Sequence, residues 1–277
     1  MIGQEKLIKL VNTANLNTLS HTILFIGAVG SGKHTLSKIL IKNLNVPYFD
    51  ITEKISLDII NEAYVKTEPV CYIIDFDRLN EKGENIILKF IEEPPKTAYI
   101  ICLSSAKNLL LPTIINRCQV YELEKYTTQQ LNSFIKSNKL FEDIEKKDDI
   151  DIKNIMIECC KTPGELLKFD TIKHQLYDMI SYCEKIIKYV GSANFANTLT
   201  ITDKLNFNNE SDKWDFKCFV KILLFMSLQY NKQYSTKQIY DFYFLTNELC
   251  NDLQYVQVNK KMLFDNYLTK CRLYLGA

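Results

Sequence analysis

The sequence lacks an excess of either charge, a long apolar run and paired cysteines, and each absence excludes a class of protein. Lys plus Arg (34) almost equals Asp plus Glu (33), so the net charge of +1 gives no global field that would hold nucleic acid. No apolar run reaches the roughly 18 residues of a membrane helix, and the N-terminus does not read as a signal peptide. We therefore expect a cytoplasmic protein with no membrane partner.

The nine cysteines have no C-x-x-C pair, and their odd number argues against a complete disulfide framework. Most of them lie singly in apolar or helical stretches, which is typical of reduced core thiols. No metal site is predicted. With 277 residues and 47% apolar content, the chain has enough material for two or three folded units.

Short apolar runs alternate with helical patterns in the first half of the chain. The runs at 23–26, 70–74 and 98–103 read as strands, as does the mixed stretch at 119–123, and 85–92 reads as a helix between the second and third of them. This alternation predicts an α/β core with a parallel sheet and helices on both faces. After about residue 126 the strands are expected to stop. Thr127 then reads as a helix cap, and from about 175 the chain reads as amphipathic helices.

A phosphate-binding loop is predicted between the first strand and the next helix. Residues 27–33 read GAVGSGK, which fits G-x-x-x-x-G-K in the context where backbone N–H groups and a helix N-terminus hold phosphates. The alternative is a glycine turn that only packs the helix. The predicted nucleotide-binding residues of the loop are Gly27, Gly30, Ser31, Gly32 and Lys33.

The position after Lys33 normally carries a Ser or Thr whose hydroxyl binds magnesium, and here it is His34. An imidazole is a poor ligand for a hard cation that prefers oxygen. Thr35 follows one place later, about 100° around the helix axis. His34 and Thr35 belong to the predicted nucleotide site, but magnesium binding is not expected.

Two further motifs carry a family resemblance. Residues 86–95 read IILKFIEEPP, and residues 110–118 read LLPTIINRC. With the loop, they resemble the clamp-loader branch of the AAA+ proteins, and most of all its delta-prime type in bacterial DNA polymerase III, over roughly the first 170 residues. The resemblance implies a P-loop AAA+ core at 1–125, a small helical lid at 126–172 and an all-α collar domain at 173–277 that joins subunits. Many delta-prime-like proteins carry a four-cysteine zinc module, but 45–70 contains no cysteine, so no zinc is expected.

The resemblance also assigns residues around the phosphates. Asp75 stands where the magnesium-orienting acid belongs, and Ser104 stands at about the first sensor position. The glutamate that polarises water in hydrolysing members is replaced by Phe76, which cannot act as a general base. Asp77 is close, but strand alternation would place it one pleat further on.

Asn116-Arg117-Cys118 resembles the Ser-Arg-Cys motif in which an arginine reaches the ATP site of a neighbouring subunit. A guanidinium is always charged and can bind two phosphate oxygens. The other interpretation of Arg117 is a surface arginine in an ordinary salt bridge. Residues 161–167 resemble the turn and helix that carry a second sensor arginine, but they contain none, and Gly164 or Glu165 stands at that position.

These features favour a subunit that donates an arginine to the ATP site of a neighbour and does not itself hydrolyse ATP. The resemblance implies assembly with related subunits in a hetero-oligomeric ring of a DNA polymerase holoenzyme, a nucleotidyltransferase complex. Through that ring the subunit would act on a sliding clamp and primed DNA, and ATP or ADP would be held weakly. Two other hypotheses remain: an active clamp-loader ATPase of gamma/tau or phage type that uses Thr35 and Asp77, and a nucleotide-binding protein outside replication.

Overall fold

The computed structural model describes residues 3–79, 81–142, 152–190, 204–207, 213–234, 236–253 and 259–275. The chain divides into two compact units. The first comprises Met1–Asn138 with Lys161–Glu165, and the second comprises Lys139–Cys160 with Leu166–Ala277. The division at 1–125, 126–172 and 173–277 stays a prediction.

A five-stranded parallel sheet forms the centre of the first unit. Its strand order is β2-β3-β4-β1-β5, and every neighbouring pair is parallel. β1, β3 and β4 are buried along their whole length, because helices cover both faces of the sheet. The strands are β1 (Thr22–Ile26), β2 (Tyr48–Asp50), β3 (Val70–Asp75), β4 (Ala98–Ser104) and β5 (Gln119–Glu122).

Six helices accompany the sheet. On one face α4 packs Ile87, Phe90 and Ile91 onto the strands, and on the other face α1 and α2 contribute Val11 and Leu36 to a separate core. The predicted α/β core is thus confirmed. The helices are α1 (Glu5–Thr13), α2 (Lys33–Leu44), α3 (Leu57–Val65), α4 (Glu81–Glu92), α5 (Pro112–Ile115) and α6 (Thr128–Ser137), and 3₁₀ turns occupy Phe76–Arg78 and Lys107–Leu109.

Some local predictions are confirmed and others need correction. Thr127 caps α6 in a capping box with Gln130, as its position before a helix-forming stretch predicted. β2 was not predicted, because this edge strand has three residues that are all exposed and give no buried apolar run. α4 begins four residues before the predicted helix at 85–92.

The common direction of the strands separates the two edges of the sheet. At the carboxyl edge, Ile26 is level with Ser104, and Asp75 is level with Leu103. At the amino edge, the hydroxyl of Thr22 donates a hydrogen bond to the backbone carbonyl of Arg117, just before β5. The predicted phosphate-binding residues therefore lie at one edge of the sheet, and Arg117 lies at the other.

Helices dominate the second unit. They are α7 (Ile152–Cys159), α8 (Pro163–Thr171), whose first residues belong to the first unit, α9 (Lys173–Lys188), α10 (Phe216–Tyr234), α11 (Lys237–Asp252) and α12 (Lys260–Leu275). α10 packs against both α9 and α11, and α11 packs against α12. In the part of the chain that the structure describes, no helix is long and apolar enough to cross a membrane.

The expectation that strands stop after residue 126 was wrong in one detail. Leu205–Asn206 (β6) pairs in parallel with Trp214–Asp215 (β7). Each strand has only two residues, so neither produces a recognisable period in the sequence. The side chain of Trp214 is buried there and lies edge to face against Tyr182, with ring centroids 5.9 Å apart.

Phe90 offers a direct test of the core formed by α4 and the sheet. Its side chain is fully buried and meets Tyr72 edge to face, with ring centroids 5.3 Å apart. We expect Phe90→Ala to lower the free energy of unfolding by about 3–5 kcal/mol, because it removes apolar contact and leaves a cavity. Chemical denaturation measures the change. Lys89→Ala on the exposed side of α4 is the control and should stay within about 0.5 kcal/mol of the parent.

Candidate nucleotide site and exposed arginine

The glycine loop joins β1 to α2 in the predicted order. Gly30 and Gly32 have φ angles of +78° and +97°, a backbone region that favours glycine. Lys33 is the first residue of α2. The glycines of the motif therefore let the loop turn tightly from the end of a buried strand into a helix, which is the geometry of a phosphate-binding loop.

Lys33 is turned inward, and its side chain is only 7% exposed. Its Nζ donates to the carbonyl oxygens of Gly27 at 2.5 Å and Ala28 at 3.4 Å, and it lies 3.9 Å from Oδ2 of Asp77. Burial lowers the pKa of the Lys33 ammonium, and the nearby charges of Asp77 and Asp75 oppose that shift. The lysine charge is thus satisfied within the chain.

His34 pairs directly with Asp75. Its Nε2 lies 3.1 Å from Oδ2 of Asp75, while Oδ1 of Asp75 accepts the backbone N–H of Asp77 at 3.2 Å. The backbone N–H of Asp75 donates to the hydroxyl of Thr52 at 2.9 Å. Both carboxylate oxygens of Asp75 therefore already have partners, and one of them is the residue in the usual magnesium-hydroxyl position. Thr35 is exposed on α2.

The predicted placement of Asp77 was wrong. The chain does not continue as an extended strand after Asp75, because Phe76–Arg78 forms a 3₁₀ turn capped by the Asp75 carboxylate. This turn brings Asp77 back toward Lys33 instead of one pleat further away. Phe76 is 7% exposed and packs in the core that α4 shares with the sheet.

Asp77 is held by the end of β4. Its Oδ1 accepts the backbone N–H of Ser105 at 2.8 Å and the Ser105 hydroxyl at 2.9 Å. Ser104 is fully buried, and its hydroxyl donates to the carbonyl of Ala106 at 3.0 Å and lies 3.4 Å from the same carboxylate. The structure thus brings together Lys33, His34, Asp75, Asp77 and Ser104 at the carboxyl edge of the sheet.

Ser31 indicates that this edge can accept a further polar group. Its hydroxyl is buried and has no hydrogen-bond partner among the residues that the structure describes. A phosphate oxygen would satisfy that hydroxyl, and the ammonium of Lys33 in the same loop would supply positive charge. Within the described ranges, no group of three His, Cys, Asp or Glu side chains could hold a metal ion.

A turn at residues 161–165 lies directly against the glycine loop. The backbone N–H of Gly164 donates to the carbonyl of Gly30 at 2.9 Å, and the hydroxyl of Thr162 donates to the carbonyl of Val29 at 3.0 Å. A Cβ at position 164 would lie 2.4 Å from the Cα of Gly30. Gly164, one of the two residues that the resemblance places at the sensor-arginine position, is therefore in backbone contact with Gly30 of the glycine loop.

Sequence reasoning missed several partners of the loop. The hydroxyl of Tyr126 donates to the carbonyl of Ser31 at 2.7 Å, and Thr52 and Thr162 hold Asp75 and Val29 as described above. Tyr126 and Thr52 belong to no local motif, and the motif at 161–167 gave no role for Thr162, since the fold brings each of them to the site from a distant part of the chain. Asp77 had one usable signal: an Asp at a strand end can cap a following turn through its side chain.

Arg117 follows the short helix α5 at the amino edge of the sheet. Its side chain is 42% exposed, and its guanidinium donates to the carbonyl of Thr113 at 3.3 Å and lies 3.2 Å from Oε1 of Glu92. This ion pair joins Glu92 of the motif at 86–95 to Arg117 of the motif at 110–118, the two motifs that carry the family resemblance. The guanidinium is held in place yet reachable from outside.

Comparison with known proteins gives one family match and several relatives. Residues 49–127 match the family model described as DNA polymerase III, delta subunit. The gamma subunit of DNA polymerase III from Buchnera aphidicola is 26% identical over 68% of this chain and 60% of its own length. The delta' subunit from Haemophilus influenzae is 31% identical over 40% of this chain and 33% of its own length. The chain thus aligns with about a third to three fifths of these relatives.

Among solved structures, the Thermotoga maritima RuvB Holliday junction branch migration motor aligns with 83% of this chain and 78% of its own, at 19% identity and a TM-score of 0.47. The delta' and gamma relatives, the family match across β2 to β5 and the parallel sheet with its glycine loop all point to one branch of one superfamily. The chain is thus similar to the clamp-loader branch of the AAA+ proteins, and the family match and the named relatives support its place there.

Proposed function

We propose that the chain is a delta-prime-type stator subunit of a bacterial DNA polymerase III clamp loader. In this role it donates Arg117 to the ATP site of a neighbouring subunit and turns over little or no ATP itself. Its partners are related clamp-loader subunits in a hetero-oligomeric ring, and through that ring it helps to place a sliding clamp on primed DNA.

One observation carries the proposal: Arg117 and the glycine loop lie at opposite edges of the sheet. β1 alone, with five residues at about 3.3 Å each, separates them by roughly 16 Å. An arginine side chain does not span that distance, so Arg117 does not serve the chain's own loop. An arginine of this kind acts on nucleotide only if the nucleotide belongs to another subunit.

The residues around the loop support weak turnover. Phe76 fills a core position where a hydrolysing member would need a glutamate beside the water. His34 and Asp75 bind each other, so the usual oxygen ligands of magnesium are missing or engaged. ATP or ADP is held weakly, through backbone N–H groups of the loop, the ammonium of Lys33 and the hydroxyl of Ser31.

The second candidate is an active clamp-loader ATPase, and the position of Asp77 favours it. The turn after Asp75 brings this carboxylate within 3.9 Å of Lys33. However, Oδ1 of Asp77 already accepts the backbone N–H and the hydroxyl of Ser105 and lies 3.4 Å from the hydroxyl of Ser104. The carboxylate is thus held by the end of β4, so we place the stator function first.

The first prediction of this proposal is that the purified chain has no significant ATPase activity. Loss of a general base typically removes a factor of about 10²–10⁴. Phe76→Glu should not restore turnover, because it buries a carboxylate in an apolar core and destabilises the fold by several kcal/mol. A phosphate-release assay and a denaturation curve measure both effects. Turnover on the order of 1 s⁻¹ that disappears with both Lys33→Ala and Asp77→Asn would instead establish the second candidate.

The second prediction concerns magnesium. We expect ADP to bind the isolated chain weakly and equally well with magnesium or with a chelator, because His34 replaces the hydroxyl that would ligate the ion. His34→Ser supplies that hydroxyl and releases Asp75, so binding to this variant should become stronger with magnesium. Isothermal titration calorimetry with and without the chelator decides the matter. Tight, magnesium-dependent binding to the unmodified chain would contradict the prediction.

The third prediction concerns Arg117 in the assembled ring. Arg117→Ala should lower ATPase and clamp-loading rates, by up to about 10³–10⁵ if the shared site resembles other arginine-assisted phosphoryl transfers. Arg117→Lys should rescue poorly, because an ammonium cannot span two oxygens in one plane. Folding should survive, since the side chain is 42% exposed.

The control for this experiment is Arg78→Ala, which removes another exposed arginine, paired with Glu53 rather than with Glu92. Steady-state turnover and clamp loading are compared in rings that differ only in this subunit. Equal rates in rings that carry the parent subunit and the Arg117→Ala variant would leave the subunit a scaffold role alone.

A further inference from the structure

Glu92 occupies a position that the fold fixes closely. It is the last residue of α4, and Pro94 and Pro95 follow at a point where proline ends a helix. Its neighbours on α4, Phe90 and Ile91, are buried in the core. The carboxylate therefore projects from an anchored helix end toward the amino edge of the sheet, where Arg117 lies 3.2 Å away.

The backbone of Arg117 is equally well anchored. Its N–H donates to the carbonyl of Ile114 at 3.1 Å, and its carbonyl accepts the Thr22 hydroxyl. The side chain beyond this point has four rotatable bonds, and among the described residues its end contacts the carbonyl of Thr113 and the carboxylate of Glu92. Without Glu92, the hydrogen bond of 3.3 Å to Thr113 is the contact of these two that remains.

We propose that Glu92 is a positioning residue for the arginine that this subunit donates. The inference rests on the proposed stator function and adds the element that orients its functional side chain. Glu92 holds one outer nitrogen of the guanidinium and so limits the rotamers that Arg117 explores before a neighbouring nucleotide arrives. Preorganisation of this kind lowers the entropy lost when the arginine meets the phosphate.

The geometry favours positioning over masking. A guanidinium has five N–H donors. The hydrogen bond to Thr113 uses one of them and the ion pair with Glu92 involves a second nitrogen, so donors are left for phosphate oxygens. A carboxylate that blocked the arginine from phosphate would be expected to bind two guanidinium nitrogens with its two oxygens. Here the ion pair is between Oε1 of Glu92 and one outer nitrogen of Arg117. Arg117 can thus bind phosphate while it stays in contact with Glu92.

Glu93 provides a matched control, because it is an adjacent residue of the same type with different contacts. It lies beyond the end of α4, and its backbone carbonyl accepts the hydroxyl of Tyr64 at 2.7 Å. That carbonyl contact does not depend on the Glu93 side chain. A substitution at Glu93 removes one negative charge from the same region without touching the ion pair.

The first experiment tests the ion pair in the isolated chain by NMR, independently of any ring. The sequence has three arginines, Arg78, Arg117 and Arg272, so ¹⁵N-arginine labelling gives at most three side-chain Nε–Hε signals. Arg117→Lys assigns the relevant signal by removing it. We expect Glu92→Gln to shift that signal and lower its order parameter, and Glu93→Gln to leave both unchanged. An unchanged Arg117 signal in Glu92→Gln would overturn the inference.

The second experiment measures function in the reconstituted ring. Glu92→Ala should lower kcat of the ring ATPase on the order of two- to fivefold, the range expected from an exposed ion pair, with KM unchanged. Glu93→Ala should match the parent. The double variant Glu92→Ala/Arg117→Ala should be no slower than Arg117→Ala alone, because Glu92 acts only through the arginine.

The outcomes separate this inference from the function on which it rests. If Arg117→Ala slows the ring but Glu92→Ala does not, the positioning role is wrong while arginine donation stands. A faster ring with Glu92→Ala would mean that the carboxylate masks the arginine, which also overturns the proposal. If Arg117→Ala itself has no effect, arginine donation fails, and a positive NMR result then describes a structural ion pair only.

Discussion

The common direction of the five strands is the constraint on which the rest of the structure depends. In a parallel sheet all carboxyl ends meet at one edge and all amino ends at the other. The glycine loop, Asp75 and Ser104 follow carboxyl ends, whereas Arg117 precedes an amino end. A chain built this way presents its phosphate loop and its arginine at different edges of the sheet, as the proposed function in a ring of related subunits requires.

At the carboxyl edge, the charged groups are largely satisfied by one another. Lys33 donates to loop carbonyls, His34 contacts Asp75, and Asp77 accepts hydrogen bonds from the end of β4. In a partly buried setting each of these groups would be costly to leave alone. A nucleotide must therefore compete with internal contacts for Lys33, whereas the Ser31 hydroxyl is buried without a partner in the described part of the chain.

The sequence allowed prediction of a parallel α/β core because most of its strands have local signals. Apolar runs of four to six residues identified β1, β3 and β4, the mixed stretch at 119–123 identified β5, and Thr127 marked the start of α6. The edge strand β2 and the pair β6 and β7 were missed, since two or three residues carry no period. Asp77 was misplaced because the prediction extended the strand alternation past Asp75, whose carboxylate instead caps a 3₁₀ turn.

Contacts between distant segments were beyond prediction for a related reason. The pairing of Arg117 with Glu92, the hydrogen bond from Tyr126 to the loop and the approach of Gly164 to Gly30 join residues 25, 95 and 134 positions apart. A single sequence contains motifs for some of these residues, but it contains no distances. Their meeting follows from sheet topology, which becomes specific only when all strands are placed.

The departures from a hydrolysing site are physically coupled, so no single substitution reverses them. Phe76 belongs to the packed core beneath the turn that positions Asp77, and the same turn depends on the Asp75 carboxylate that His34 contacts. Meanwhile Gly164 lies so close to Gly30 that any side chain there, an arginine above all, would push the two backbones apart. Restoring a base, a metal ligand and a sensor would require repacking the core, freeing Asp75 and moving the turn at 161–165 together. In the proposed stator, these interlocked contacts hold the site in one shape, and a rigid subunit can present an oriented arginine to its neighbour.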